Sequence, residues 1–361
     1  MRFDRSLRVA LIAAAGITGA ALVTTRPESA PGPGDSQGQK SDSARAGAPN
    51  GLSAAVAALD TLAETERAFS AFSVKSGMKE AFLHYLGRDG LIFRRGFVNG
   101  RKSWEARNDP AGTLTWAPAY AEVAGNADLG WTTGPWEYRP PAGGADSAPA
   151  YGSFITVWAR PIEWVRDEDR VWRVALDTGI SHAKPATDLD RTLLEDGPSH
   201  EAVPLMRAPG VGFDVGVFSH GLGLGVGSGR SSGDVRWREM QHASGDLLQT
   251  DREYAFALRN QGAAEAIGRY AAEDLQALRE GAEPALGKMA AIDALAKQPR
   301  DREFTPLGSR VSTSYDLGCS WGLFVTRSTP RDTSAYLHVW RYEPGRGWVV
   351  VADVENRFAP R

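Results

Sequence analysis

The chain has 361 residues, more than one hydrophobic core usually organises, so two domains of ordinary size plus connecting segments are the first expectation. Apolar residues make up 42% of it and charged residues 24%, which excludes wholesale disorder, and a formal net charge of −3 gives no field to gather nucleic acid. A single cysteine, Cys319, excludes an internal disulfide and, with six scattered histidines, a thiolate-rich zinc site, so no metal is expected.

Arg2, Arg5 and Arg8 precede an uncharged run from Val9 to Thr25, the basic-then-apolar order of an export signal. The run is short for a bilayer core of about 30 Å, so residues 1–25 read either as a cleaved signal peptide or as a retained inner-membrane anchor. Residues 26–52, dominated by Pro, Gly, Ser, Ala and charge, read as a flexible linker. Export without disulfides fits a bacterial periplasm.

Residues 53–184 read as the first folded domain. Val56, Leu59, Leu62, Ala63, Phe69 and Phe72 recur at mostly helical spacing, Gly77 stops that helix, and Met78 to Leu86 predicts a shorter one burying Ala81, Phe82 and Tyr85. The period then changes. Ala119 to Val123, Leu129 to Tyr138, Gly152 to Ala159 and Val171 to Asp177 are rich in aromatic and β-branched residues between turn signals, as hairpin-linked antiparallel strands should be. Residues 185–243 read as a Gly-rich linker, with Val211 to Phe218 as a short edge strand. The run from Gly221 to Gly229 lacks the spacing of a dinucleotide or phosphate loop, and no cofactor is expected.

Residues 244–361 repeat the first domain. Glu64 to Gly96 aligns without gaps on Gln249 to Gly281, with nine identities in thirty-three positions where about two are expected by chance. Among the matched pairs are Arg67 and Arg252, Tyr85 and Tyr270, and Arg94 and Arg279. The match resumes at Asp128-Leu129-Gly130 and Asp316-Leu317-Gly318, and ends with Asp177 and Asp353. Helices followed by strands in each copy imply an α+β fold in tandem. Gly130 and Gly134, repeated as Gly318 and Gly322, predict a bend or the close approach of another element.

The first copy, through Glu64-x-Glu66-Arg67-x-Phe69, Gly100-Arg101-Lys102-Ser103-Trp104, Asp128 to Gly134, Val157-Trp158 and Trp172-Arg173-Val174, resembles the SnoaL-like, nuclear-transport-factor-2-like superfamily, and within it a bacterial group of unknown function. The resemblance covers roughly residues 53 to 184 and, more weakly, 245 to 361. It implies two cystatin-like cones, each a long helix wrapped by a curved antiparallel sheet with a pocket at its open end. It also implies that two such cones can pair through their sheets as a pseudo-dimer. The superfamily holds both enzymes and binding modules, so it names no reaction.

Two functions follow from this pattern. One is a pocket that binds a small hydrophobic ligand or an envelope partner. The other is cofactor-independent lyase, isomerase or hydrolase chemistry beside a carbonyl, with Asp177 as general base and His182 or Tyr85 as helper, because burial in an aromatic pocket raises a carboxyl pKa toward neutrality. The competing reading has Asp177 capping a turn or paired with Arg173. Trp131, Trp136, Tyr138, Trp158, Phe69 and Phe72 stand as ligand wall or as ordinary core, and His338 as a pocket or core histidine of the second copy. Arg67 and Arg252, beside Glu66 and Asp251, read as a structural ion pair between helix and sheet.

Overall fold

The computed structural model describes residues 51–141, 148–160, 171–185, 232–327 and 332–358. The expected leader, the edge strand at Val211 to Phe218 and the glycine run after it lie outside these residues.

Each half opens with a long helix. Helix α1 (Gly51–Ser76) buries Leu59, Leu62, Ala63 and Phe69 at three- and four-residue spacing, so one face meets the sheet. Gly77, at φ 92°, ends it in a conformation that suits glycine, and α2 (Met78–Tyr85) turns back over α1. The second half repeats this with α4 (Ser232–Asn260), Gly262 at φ 101° and α5 (Ala263–Tyr270). Helix α4 starts well ahead of residue 244 and so takes in chain expected to be linker. Short helices α3 (Gly100–Glu105) and α6 (Lys288–Ala296) sit at matching points after α2 and α5.

The first sheet contains β1 (Leu86–Phe93), β2 (Phe97–Asn99), β3 (Thr113–Trp116), β4 (Tyr120–Val123), β5 (Leu129–Arg139), β6 (Ala150–Ala159) and β7 (Arg173–His182), in the order β2-β1-β7-β6-β5-β3 with β4 also on β5. The second contains β8 (Ala271–Arg279), β9 (Ala285–Leu286), β10 (Arg302–Val311), β11 (Leu317–Thr326), β12 (Thr333–Glu343) and β13 (Gly347–Arg357), in the order β10-β11-β12-β13-β8-β9. Neither is the pure antiparallel meander expected. Strands β1 and β8 run parallel to the last strand of their own sheet. The segment Leu86–Phe93 hides its strand character because two glycines and an Arg-Asp pair interrupt its apolar pattern.

The paired glycines mark close approach. A Cβ on Gly130 would lie 2.7 Å from Leu62 Cδ2, and one on Gly318 2.4 Å from Leu247 Cδ1, so in both halves the long helix lies against the same bare strand position. Gly134 is tighter, its Cβ position 2.0 Å from the Ala117 carbonyl oxygen. Each sheet also carries a register shift between its two last strands, at Val157/Trp158 and at Val339/Trp340.

Inside the first cone Leu62, Phe69, Phe82, Trp104, Trp116, Trp158 and Val174 form one buried cluster, and Tyr254, Ile267, Leu275, Trp340 and Val350 form another inside the second. A third cluster joins the outer faces of both sheets: Trp131, Ile155, Val157, Leu176 and Ile180 pack with Leu278, Leu317, Cys319, Leu337, Val339 and Val354. Buried polar groups accompany it. Arg341 Nε donates to Glu122 Oε1 at 2.6 Å, Arg341 Nη2 to Asp274 Oδ2 at 2.9 Å, and Thr178 Oγ1 to Asn356 Oδ1 at 2.7 Å. Cys319 is a buried member of this cluster, and burial pushes its thiol up to about 12, which suits a small hydrophobe rather than a nucleophile.

Candidate functional site

The centre of the first cone is a carboxylate on α1. Glu66 falls three to four residues from Leu62, Ala63 and Phe69, on the apolar stripe itself, and is fully buried. Trp116 Nε1 donates to its Oε1 at 2.6 Å, while Thr132 Oγ1 and Trp158 Nε1 donate to Oε2 at 2.5 and 2.8 Å. Burial raises its pKa, and these three donors offset part of the rise. The ion pair expected between Arg67 or Arg252 and the sheet is absent among the described residues. Asp251, the counterpart of Glu66, instead meets Tyr336 and His338.

Toward the open end, a cavity of about 400 Å³ is walled by Phe82, Trp104, Trp116, Trp136, Tyr138 and Phe154, with Asp177, Arg94 and Arg107 as its charged members. Asp177 lies on β7 opposite Thr156, whose hydroxyl donates to Asp177 Oδ1 at 3.0 Å. It has no ion pair within 4 Å among the described residues. Burial, then the negative charge of Glu66, raises its pKa to about 7, against the smaller opposing effects of the Thr156 hydrogen bond and Arg94. A carboxyl so placed exchanges its proton near neutrality.

The cavity wall is closely packed for local reasons. A Cβ on Gly152 would lie 2.4 Å from the Trp136 ring, and one on Gly179 3.4 Å from Trp136 Nε1, so the indole rests on two bare strand positions. Trp104 stacks on Phe82 with centroids 4.6 Å apart, and the Arg107 guanidinium carbon lies 3.4 Å from the Trp104 ring centroid. Trp104 Nε1 is buried with no hydrogen-bond partner among the described residues.

Of the residues singled out from sequence, Asp177, Trp136 and Tyr138 line this cavity. His182 does not. It stands five residues from Asp177 and therefore on the other face of β7, with Nε2 3.1 Å from Ser153 Oγ and Nδ1 2.8 Å from the Ala183 carbonyl oxygen. Trp131 is likewise on the outer face of β5, its Nε1 donating to Glu122 Oε2 at 3.0 Å. Phe69 is core beneath the cavity, with Phe72 packed against that core, and the Tyr85 ring lies tilted against Phe69 with centroids 4.6 Å apart. Burial raises the Tyr85 pKa further, which removes it as a base near neutrality. Trp158 lies deeper, on Glu66. Arg173 donates to the His84 carbonyl oxygen at 2.7 Å and so holds the end of α2 rather than Asp177. The register shift at Val157/Trp158 falls between Arg173 and Asp177 and breaks the alternation that would have put them on one face.

His338 is the hub of a different arrangement in the second cone. Its Nδ1 is 2.7 Å from Asp251 Oδ1 and its Nε2 3.5 Å from Asp353 Oδ1, with all three side chains buried. Burial alone would lower its pKa, but Asp353 and Asp251 override this and raise it to about 9, so the imidazole is a cation at neutrality. Asp353 also accepts from Tyr254 Oη at 2.8 Å and Arg279 Nη2 at 2.7 Å.

Sequence reasoning missed Arg94, Arg107, Trp104 and Phe154 as cavity residues. Arg94 carried a signal, since it recurs as Arg279 in the repeat. Glu66 carried another, as a charge in the middle of an apolar helical stripe.

No family model matches the chain, and no curated protein matches it. Solved structures similar to it include a ketosteroid isomerase-like protein from Erwinia carotovora atroseptica, at 16% identity and TM-score 0.27 over 31% of this chain and 93% of that one. An NTF2-like protein with a cystatin-like fold from Novosphingobium aromaticivorans is similar at 20% identity and TM-score 0.29, over 36% of this chain and 88% of that one. An NTF2-like protein of unknown function from Pseudomonas putida is similar at 19% identity and TM-score 0.28, over 33% of this chain and 88% of that one.

Proposed function

We propose that the first half binds a flat, largely apolar molecule in its aromatic cavity and that Asp177 acts on it as a general base, moving a proton next to a carbonyl. The observation that carries this reading is the position of Asp177: a carboxyl with a pKa of about 7, without an ion pair among the described residues, on the wall of an aromatic cavity. A base is most effective when its pKa lies near the working pH, and burial has moved this one there. Arg94 and Arg107 supply positive charge on the same wall, where it would offset the negative charge that develops on an enolate oxygen. Thr156 orients the carboxyl through its hydroxyl. The basic-then-apolar leader supports export, so the reaction or the binding would take place in the periplasm.

Binding without turnover is the second reading, and the placement of His182 favours it, because the expected partner for Asp177 is on the other face of the sheet. One experiment separates the two. An aryl ketone such as 2-tetralone, incubated with the protein in deuterated buffer, should exchange its α-protons faster with the wild type than with Asp177→Asn. Binding of the ketone with equal exchange in both proteins would leave only the binding reading.

A further inference from the structure

The open end of the second half has a different character. Its cavity, of about 440 Å³, is lined by Arg252, Arg259, Arg279, Arg300, Arg302 and Arg327 against three acids, Glu303, Asp353 and Glu355. Two of those acids are already engaged: Arg279 Nη2 is 2.7 Å from Asp353 Oδ1, and Arg302 Nη1 is 2.7 Å from Glu355 Oε2. The four exposed arginines, Arg252, Arg259, Arg300 and Arg327, make no ion pair within 4 Å among the described residues. The lining therefore carries an excess of three positive charges around a concave, partly apolar space, where counter-charge is attracted most strongly. In the wall, the Nε of Arg279, whose side chain is 9% exposed, is buried and has no hydrogen-bond acceptor among the described residues, and the Nε of Arg302 is in the same state.

The repeat itself shows what has changed. In the first half a carboxylate of the chain occupies the start of α2: Lys79 N donates to Asp109 Oδ1 at 2.8 Å, and a Cβ on Gly77 would lie 2.0 Å from Asp109 Oδ2. In the second half Gly262 has the same left-handed backbone, but the group nearest its Cβ position is the Arg300 guanidinium, with Nη2 at 3.6 Å. Arg300 is held there by a 3.1 Å hydrogen bond from its Nε to the Arg259 carbonyl oxygen. Among the described residues no side chain accepts from the first N–H groups of α5, and Ala263 lines the cavity. A helix start that takes an internal anion in one half is left open beside a cation in the other.

We propose that this cavity binds a small oxyanion carrying two or three negative charges, a di- or tricarboxylate or a phosphate ester, with its charged head between Arg300, the start of α5 and Arg252. Guanidinium forks match carboxylate and phosphate oxygens equally well, and the exposed ring of Phe256 covers the rest of the ligand.

Isothermal titration of the full chain with citrate and, separately, inorganic phosphate, at an ionic strength fixed with sodium chloride, tests this. Saturable one-site binding of at least one anion is expected, and which one binds distinguishes carboxylate from phosphate. Arg300→Glu and Arg252→Glu, both at exposed positions and checked for an unchanged Tm, should each weaken Kd about tenfold or more. Arg269→Glu makes the same change in net charge at an exposed site outside the cavity and should leave Kd within about twofold. No saturable binding of either anion, or an equal loss in Arg269→Glu, would overturn the proposal.

Discussion

Asp177 and Asp353 hold the same position on the last strand of the two sheets, facing Thr156 and His338 respectively, and their surroundings drive the two carboxyls in opposite directions. Burial would raise Asp353, but Arg279 and His338 hold it well below the usual carboxylate range. Asp177 has Arg94 where Asp353 has Arg279, yet Arg94 makes no ion pair with it, and burial beside Glu66 raises it to about 7. One repeated acid is thus locked in a buried ion network and the other left free to exchange a proton.

A carboxyl whose pKa is about 7 in the folded chain and near 4 when unfolded binds more protons folded than unfolded between those values. Its contribution to stability therefore falls as pH rises from about 4 to 7 and is flat above. Asp177→Asn removes that slope, so its urea midpoint relative to wild type should be higher at pH 8 than at pH 5. Carbon-13 NMR of the Asp177 carboxyl should give a midpoint near 7, and one near 4 would end the proton-transfer reading.

His338 has the opposite sign. Its folded pKa is raised to about 9, so the stability it contributes is complete below about 6.5 and is lost as pH rises through 9. His338→Gln leaves Asp251 and Asp353 without the cation between them and should cost about 3–5 kcal/mol at pH 7, the usual cost of stripping a buried charge of its partner. Denaturant unfolding measured from pH 6 to 10 should show a downward slope in the wild type that the variant lacks.

Across the shared outer-face core, Arg341 joins Glu122 of the first half to Asp274 of the second. Arg341→Met strands a buried Glu122 and should destabilise by about 3–5 kcal/mol. Adding Glu122→Leu removes the stranded charge as well, and the double variant should regain more than half of the loss in a double-mutant cycle.

Bare strand positions set how closely the helices and loops approach. Gly130→Ala meets Leu62 Cδ2 at 2.7 Å and the Glu122 carbonyl oxygen at 2.9 Å, whereas Gly134→Ala meets the Ala117 carbonyl oxygen at 2.0 Å. Backbone met at 2.0 Å must shift much further than backbone met at 2.9 Å, so overpacking of about 1–3 kcal/mol is expected at position 130 and more at 134. Equal losses in thermal unfolding would count against this packing.

Parts of the site were legible before any coordinates. Strand alternation alone separates Trp136 and Tyr138 from Trp131, and Asp177 from His182, since each rejected residue lies an odd number of positions from those that line the cavity. Glu66 and Asp251, each a charge on an apolar helical stripe, could have been singled out as buried acids by the same reasoning. Arg173 could not have been excluded in this way, because the register shift between it and Asp177 leaves no trace in composition.

The amino-acid sequence by itself determined the α+β character, the helices that begin each half, and the glycines on which those helices rest, because these depend on residues a few positions apart repeating with a fixed period. Only the tertiary structure decided which acid is paired and which is free, and that the second cavity is walled with arginines. Those properties depend on distances between residues far apart in the chain: an arginine on one strand reaches the neighbouring carboxylate in one half and stops short in the other, and a few ångströms of low-dielectric space turn that difference into pKa shifts of opposite sign.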